Sequence, residues 1–337
     1  MKKVLLIILL FSLLSSISGC SSNPDNGEKE VWYGNFEINT DNDLNNLSYY
    51  SSVSDNLIIV RTNLPNLDAL ELLTEIGGDL IIKWNENLTN IDGLRNITSI
   101  GKNLNITGND ALTELEGLRN IISIGGEMNI YDNDALTNID GLRNIISTGG
   151  GILISGNDKL KTLDGLMNIT SVKECVYIGW NKGLINLDGL SNITSVKGSL
   201  SISGNVILNN LNGLINITSV SGSLNICDNS TLKDIDGLEN ITLIDGGIYI
   251  NDNINLTNFD GLFNVTSIGK NLCIRNNNAL TDIGGLCNLY FRTGNIEIKN
   301  NDNLSSCMAI DFKIQQISQG WEGTATINNN NDQSICD

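Results

Sequence analysis

The chain has 337 residues, a formal net charge of -18 and no histidine. The acidic balance argues against a nucleic-acid partner, which needs clustered Lys and Arg on the phosphates, and more weakly against docking on an anionic membrane surface. The missing histidine removes the commonest general base and the commonest metal ligand.

Residues 1–20 read as processing sequence. Lys2 and Lys3 form a basic start, and Val4 to Leu14 is an apolar run too short to span a bilayer as a mature helix. The tetrad Ile17-Ser18-Gly19-Cys20 that follows resembles the lipobox of bacterial lipoprotein signal peptides. That resemblance implies a lipid on Cys20, which becomes the new N-terminus and a membrane anchor. The alternative is an ordinary secretory signal with a chance cysteine. Ser21 lacks the Asp that often retains such proteins at an inner membrane, so the resemblance implies a place at the outer membrane or cell surface of a bacterial envelope. Residues 21–33 are polar and acidic and read as a flexible tether.

Residues 34–306 form a repeat array. A Gly-Leu pair recurs every 24 residues, at Gly93, Gly117, Gly141, Gly165, Gly189, Gly213, Gly237, Gly261 and Gly285. A fixed period in this range is the signature of a solenoid. Within each coil, pairs such as Leu104/Ile106 and Leu200/Ile202 alternate with polar residues, which is strand periodicity. Further aliphatic columns run through Leu112, Leu136 and Leu160, through Leu94 and Leu118, and through Ile97, Ile121 and Ile145. The reading is all-β, a stack of 24-residue coils with a C-terminal cap over 307–337. Ala69 stands where the second, imperfect coil is expected to carry glycine.

An asparagine column accompanies these rows: Asn109, Asn133, Asn157, Asn181, Asn205, Asn229, Asn253 and Asn277, extended by Asn85 and Asn301. Stacking places these amides one strand spacing apart, either as a ladder like those of parallel in-register assemblies or as caps on their own turns. Both roles are structural.

The run Leu-x-Ile-x-x-Asn-x-x-Leu-x-x-Ile/Leu-Asp-Gly-Leu-x-Asn-Ile resembles the leucine-rich repeats of receptor L domains, the ligand-binding halves of insulin-type and epidermal-growth-factor-type receptors. It is closer still to bacterial surface lipoproteins carrying the same repeat. The resemblance spans about residues 55–310 and implies a right-handed parallel β-helix. Receptor L domains have fewer and less regular coils, so their ligands do not carry over. Fold resemblance alone is a weak warrant for function.

Cys307 and Cys336 both fall in the irregular C-terminal segment and are expected to pair as a staple. Cys227 and Cys273 lie two coils apart, about 10 Å of stacking, beyond the reach of a disulfide. With Cys175 and Cys287 they read as small buried or half-buried hydrophobes. The acidic residues ahead of the repeat glycines, Asp92, Glu116, Asp140, Asp164, Asp188, Asp236 and Asp260, offer too few oxygens per column for calcium. Each reads as a brace for a turn whose glycine has positive φ. No metal or cofactor is expected.

Irregularity falls on the outward strand positions. Tyr131, Leu153 and Tyr177 lie on consecutive coils with Trp180 just past them, and Trp84 holds Trp180's position four coils earlier. Exposed aromatics beside Asn and Ser suit sugar stacking or protein contact. The function expected is therefore a monomeric, non-catalytic surface lipoprotein that binds an extracellular protein or glycan. The alternatives are a structural envelope spacer without a specific ligand and a carbohydrate-active β-helix enzyme.

Overall fold

The computed structural model describes residues 30–332. A typical coil runs from a four-residue strand (Leu104–Thr107) through a corner and a 3-10 turn (Glu116–Leu118) to a two-residue strand (Ser123–Ile124). Among the described residues the longer strands make one 13-stranded parallel sheet, from Phe36–Ile38 to Ala325–Asn328. Its register is the sequence period made physical: Ile106 pairs with Ile130, Ile130 with Ile154 and Ile154 with Ile178. The aliphatic columns of every coil point into one continuous core, and Leu104, Ile106, Leu112, Leu115, Leu118 and Ile121 are fully buried in a single turn. One coil has no partner for its strand amides or its apolar rim, so stability comes from the coils on either side.

The repeat glycines answer a steric demand rather than a conformational one. None of them has positive φ. Each lies inside its 3-10 turn, against the backbone of the coil before. A Cβ on Gly189 would sit 1.8 Å from the Leu163 carbonyl oxygen, and one on Gly117 1.9 Å from that of Ile91. This corrects the expectation of a positive-φ turn: glycine is needed because two backbones meet there. Ala69 is the exception that fits, because the coil beneath it carries the helix α1 (Asp41–Leu47) in place of a 3-10 turn. Helix α1 starts with a capping box. The Thr40 hydroxyl accepts from the Asp43 amide, and the Asp43 carboxylate accepts from the Thr40 amide. The Thr40 hydroxyl also donates to the Asp43 carboxylate, and this bond foremost, with those from the Asn39 and Thr40 amides, holds the Asp43 carboxyl below its ordinary range.

On the side of the rod bearing the two-residue strands the ladder is interrupted. A six-stranded sheet ends at Ser147–Thr148 and a five-stranded one begins at Ser171–Val172. The amides of Ile146, Gly149 and Gly150 donate to the coil before them, and those of Thr194, Lys197 and Gly198 do the same. The equivalent amides of the coil between, Thr170, Lys173 and Glu174, make no such bond. Thr148 accounts for the last of these, at Glu174. It is buried where the other coils carry Ile or Val, and its hydroxyl donates to the Gly150 carbonyl at 2.9 Å. A buried hydroxyl must find a partner, and this one takes the acceptor that the Glu174 amide would use. The larger sheet runs through this level unbroken, with Ile152 paired to Val176. Ile122 and Ile146, exposed in a column otherwise rich in threonine, lie beside the seam.

At the C-terminal end a helix, α2 (Ser306–Ser318), is inserted before the last strand. Its buried Gln316 donates to the Leu289 carbonyl at 2.8 Å, and Trp321 packs on Phe291 and donates to the Gly294 carbonyl. The array also starts earlier than the expected boundary at 34. Val31–Trp32 is already a strand, paired with Ser52–Val53, so the last residues of the expected tether belong to the fold. The remainder of that tether and the expected signal peptide lie outside the described residues. No described helix is long and apolar enough to cross a membrane.

Two outcomes follow. Gly189→Ala should destabilise the rod by roughly 3 kcal/mol, since backbone must move to admit the methyl, whereas Ala69→Gly should cost under about 1 kcal/mol; urea unfolding of both variants measures this. Hydrogen exchange at Thr170, Lys173 and Glu174 should run about tenfold or more faster than at Thr194, Lys197 and Gly198, and Thr148→Val should slow it at Glu174 by freeing the Gly150 carbonyl.

Candidate ligand-binding face

The outward side of the large sheet holds the predicted aromatic cluster. Leu153 and Tyr177 are paired neighbours on adjacent strands, and Tyr131 pairs with Ser155, one diagonal step from Leu153. All three are half-buried. Tyr177 folds along its own strand over Gly179, where a Cβ would meet its hydroxyl at 2.5 Å. The bare glycine is what lets the ring lie flat. Among the described residues no ring pair forms between these tyrosines and Trp180. Trp180 leans one coil onward instead, over Gly204, where a Cβ would meet the indole at 2.5 Å. The structure therefore resolves the site into a strand-face cluster and a tryptophan on the shoulder beside it.

That shoulder is a feature sequence reading missed. The residue just after each long strand lies in the left-handed region: Arg61, Trp84, Gly108, Asp132, Gly156, Trp180, Gly204, Asp228, Asp252, Asn276 and Asn300 all have φ between +55° and +69°. The conformation breaks the in–out alternation of the strand and turns the next residue, the column asparagine, into the core. Gly, Asn and Asp suit it; tryptophan does not. A bulky residue held there costs on the order of 1 kcal/mol and points to a use for the side chain. Both indoles in this column, Trp84 at φ 57 and Trp180 at φ 55, are about half exposed and lie on a glycine one coil on. The recurrence of Gly, Asp and Asn before the ladder asparagine was the available signal, against which the two tryptophans stand out.

The surroundings of the two indoles differ. Trp84 carries the Arg61 guanidinium 4.7 Å above its ring and borders an acidic cleft with Glu86, Asp110, Asp132 and Asp134. Trp180 is flanked on the shoulder by Gly156 and Gly204, with Ser155 and Ser203 on the strand ends, and the nearby Asp158 is neutralised by Lys182 at 2.7 Å. Further along, Asn329 donates to Asn300, Asn300 to Asn276 and Asn276 to Asp252, a second ladder at the surface. Burial, then the neighbouring Asp252, raises the Asp228 carboxyl.

Beneath the face runs the buried asparagine column. Asn109, Asn133, Asn157, Asn181, Asn205, Asn229, Asn253 and Asn277 are wholly inaccessible. The Nδ2 of Asn133 donates to Asn157 Oδ1 at 3.2 Å and to the Ile106 carbonyl at 3.1 Å, while its backbone amide donates to the same Asn157 oxygen. The pattern repeats from Asn85 to Asn301, with Thr62 closing it at one end and Asn330 at the other. A third asparagine series, including Asn144 and Asn192, ties each 3-10 turn to a carbonyl of the preceding coil.

The acidic column edges the 3-10 turns, partly matched by arginine: Arg143 lies 3.6 Å from Asp140 and 3.8 Å from Glu116. Among the described residues no three His, Cys, Asp or Glu converge to hold a metal ion. Cys175, Cys227, Cys273 and Cys287 are free thiols. Cys175 and Cys287 are exposed, not the buried hydrophobes expected, because they fall on turn positions outside the inward columns. Burial pushes Cys273 up to about 11, so it stays a thiol. Cys307 is disulfide-bonded; its expected partner Cys336, like the lipid-bearing Cys20, lies outside the described residues.

Residues 74–171 match the family model of the Receptor L domain. The resemblance to receptor L repeats holds over this run of coils. The same coil geometry continues beyond it on both sides. No curated protein matches the chain.

Asn157→Asp should test the ladder. It removes the donors to the Ile130 and Ser155 carbonyls and buries a carboxylate against them. The loss should be roughly 3 kcal/mol at neutral pH. Because burial raises the new carboxyl's folded pKa, stability should recover as pH falls through that value, as thermal unfolding across pH would show.

Proposed function

We propose that this protein is a lipid-anchored surface protein of a bacterial envelope whose rigid rod binds an extracellular protein or glycan, without catalysis or cofactor. The family match supports a ligand-binding repeat domain. The observation that carries the binding reading is Trp180: a large aromatic kept in a left-handed backbone conformation, half exposed, on a glycine shelf beside Tyr177. A purely structural coil has no need of it, since Gly, Asp or Asn fills the same position in most other coils at lower conformational cost. Flat aromatic surface edged by Ser and Gly offers stacking and hydrogen bonding with little lost side-chain entropy, as glycan and protein partners require. The uninterrupted coils supply a straight support. The lipobox resemblance at Cys20 supports the anchor.

Screening the purified protein against glycan and extracellular-protein arrays tests this. A specific ligand should emerge, and Trp180→Ala or Tyr177→Ala should each weaken it by about tenfold or more, in the range of an aromatic contact residue, without lowering the melting temperature. No ligand, or binding indifferent to both substitutions, would favour a structural spacer.

A further inference from the structure

The N-terminal end of the rod holds a second candidate site, independent of the sheet face. A cavity of about 560 Å³ opens there, lined by Trp32, Phe36, Tyr49 and Tyr50 and edged by Glu30 and Glu37. That volume suits a small molecule. Trp32 meets Phe36 with ring centroids 4.9 Å apart at 80°, and Tyr50 at 5.5 Å and 87°. At these distances the rings pack edge to face on one another and together make one side of an open aromatic cage. Its inner members rest on the core: Trp32 is paired with Val53, the buried Phe36 with Leu57, and Tyr50 packs against the core, while Tyr49 lies exposed at the rim.

The chemistry of the walls selects the guest. Trp32 Nε1 already donates to the Asn35 carbonyl at 3.0 Å, so the indole has its π face to offer rather than a donor. Glu30 and Glu37 make no side-chain ion pair or hydrogen bond among the described residues. The Asp43 carboxylate, also at the cavity, is occupied by the cap of α1. Among the described residues no Lys or Arg lines the space. Anions are repelled by two unneutralised carboxylates in a chain of net charge -18. A neutral sugar gains nothing from them beyond hydrogen bonds. A cation with an apolar shell satisfies both elements, since ring faces attract it through their quadrupole and carboxylates through charge.

We propose that this cavity binds a small organic cation of the quaternary-ammonium or alkylated-amine class. The exposed aromatic surface would contact its alkyl groups, with Glu30 and Glu37 as counter-charges. Calorimetric titration of the full chain with choline, and with its uncharged carbon isostere 3,3-dimethylbutan-1-ol, tests this. Choline should bind, and the isostere should bind about tenfold or more weaker, because it keeps the shape and loses the charge. The double variant Glu30→Gln/Glu37→Gln, which leaves cage and core intact, should weaken choline by a similar factor with an unchanged melting temperature. Tyr50→Leu should weaken it independently of charge. No binding at tens of millimolar choline would overturn the proposal. Equal affinity for the isostere, or undiminished choline binding by the double variant, would overturn it too.

Discussion

Coil stacked on coil at backbone hydrogen-bond distance is the constraint from which the other features of this rod follow. Where strands pair, the spacing is set by amide and carbonyl. Where the 3-10 turns stack, a carbonyl oxygen lies so close to the next coil that a Cβ cannot enter, and glycine recurs for that reason. The buried asparagines solve the remaining problem. At the corner after each long strand the backbone leaves strand geometry and would strand backbone polar groups in the interior; each Asn side chain accepts from one coil and donates to others, which pairs them. The ladder fixes the position of each corner and not the length of the coil: it passes from Asn301 to Asn330 across the inserted helix α2.

The architecture was open to reading from sequence because its determinants are periodic. Leu104, Asn109, Leu112 and Gly117 each announce a column by recurring. What was hidden is what depends on contact rather than recurrence. The purpose of the glycines was misread because a turn and a close approach select the same residue. The seam at Thr148 escaped because one threonine among isoleucines and valines looks conservative until its hydroxyl is seen taking the Gly150 carbonyl. The helix α1 was signalled by Thr40 and Asp43 but concealed by the expectation of uniform coils. Of the candidate face, Tyr131, Leu153 and Tyr177 were visible as departures from polar positions; the tilt of Trp180 toward Gly204 was not, since it depends on a left-handed φ that no column of letters displays.

The candidate face and the seam share a level of the rod. Leu153 and Tyr177 stand on the strands that follow Ser147–Thr148 and Ser171–Val172 round one corner of the coil from the missing bonds. The level is still held by the long sheet, where Ile152 pairs with Val176, and at the 3-10 turns, where Asn168 donates to the Arg143 carbonyl.

The left-handed shoulder has a metric consequence. Trp84 and Trp180 occupy one rail of a straight stack, four coils apart, so about 19 Å separates them at the strand spacing. Rigid coils fix that interval, and thermal motion of a loop cannot blur it. A ligand long enough to touch both indoles is therefore gauged by length as well as by composition, with the protein serving as the ruler.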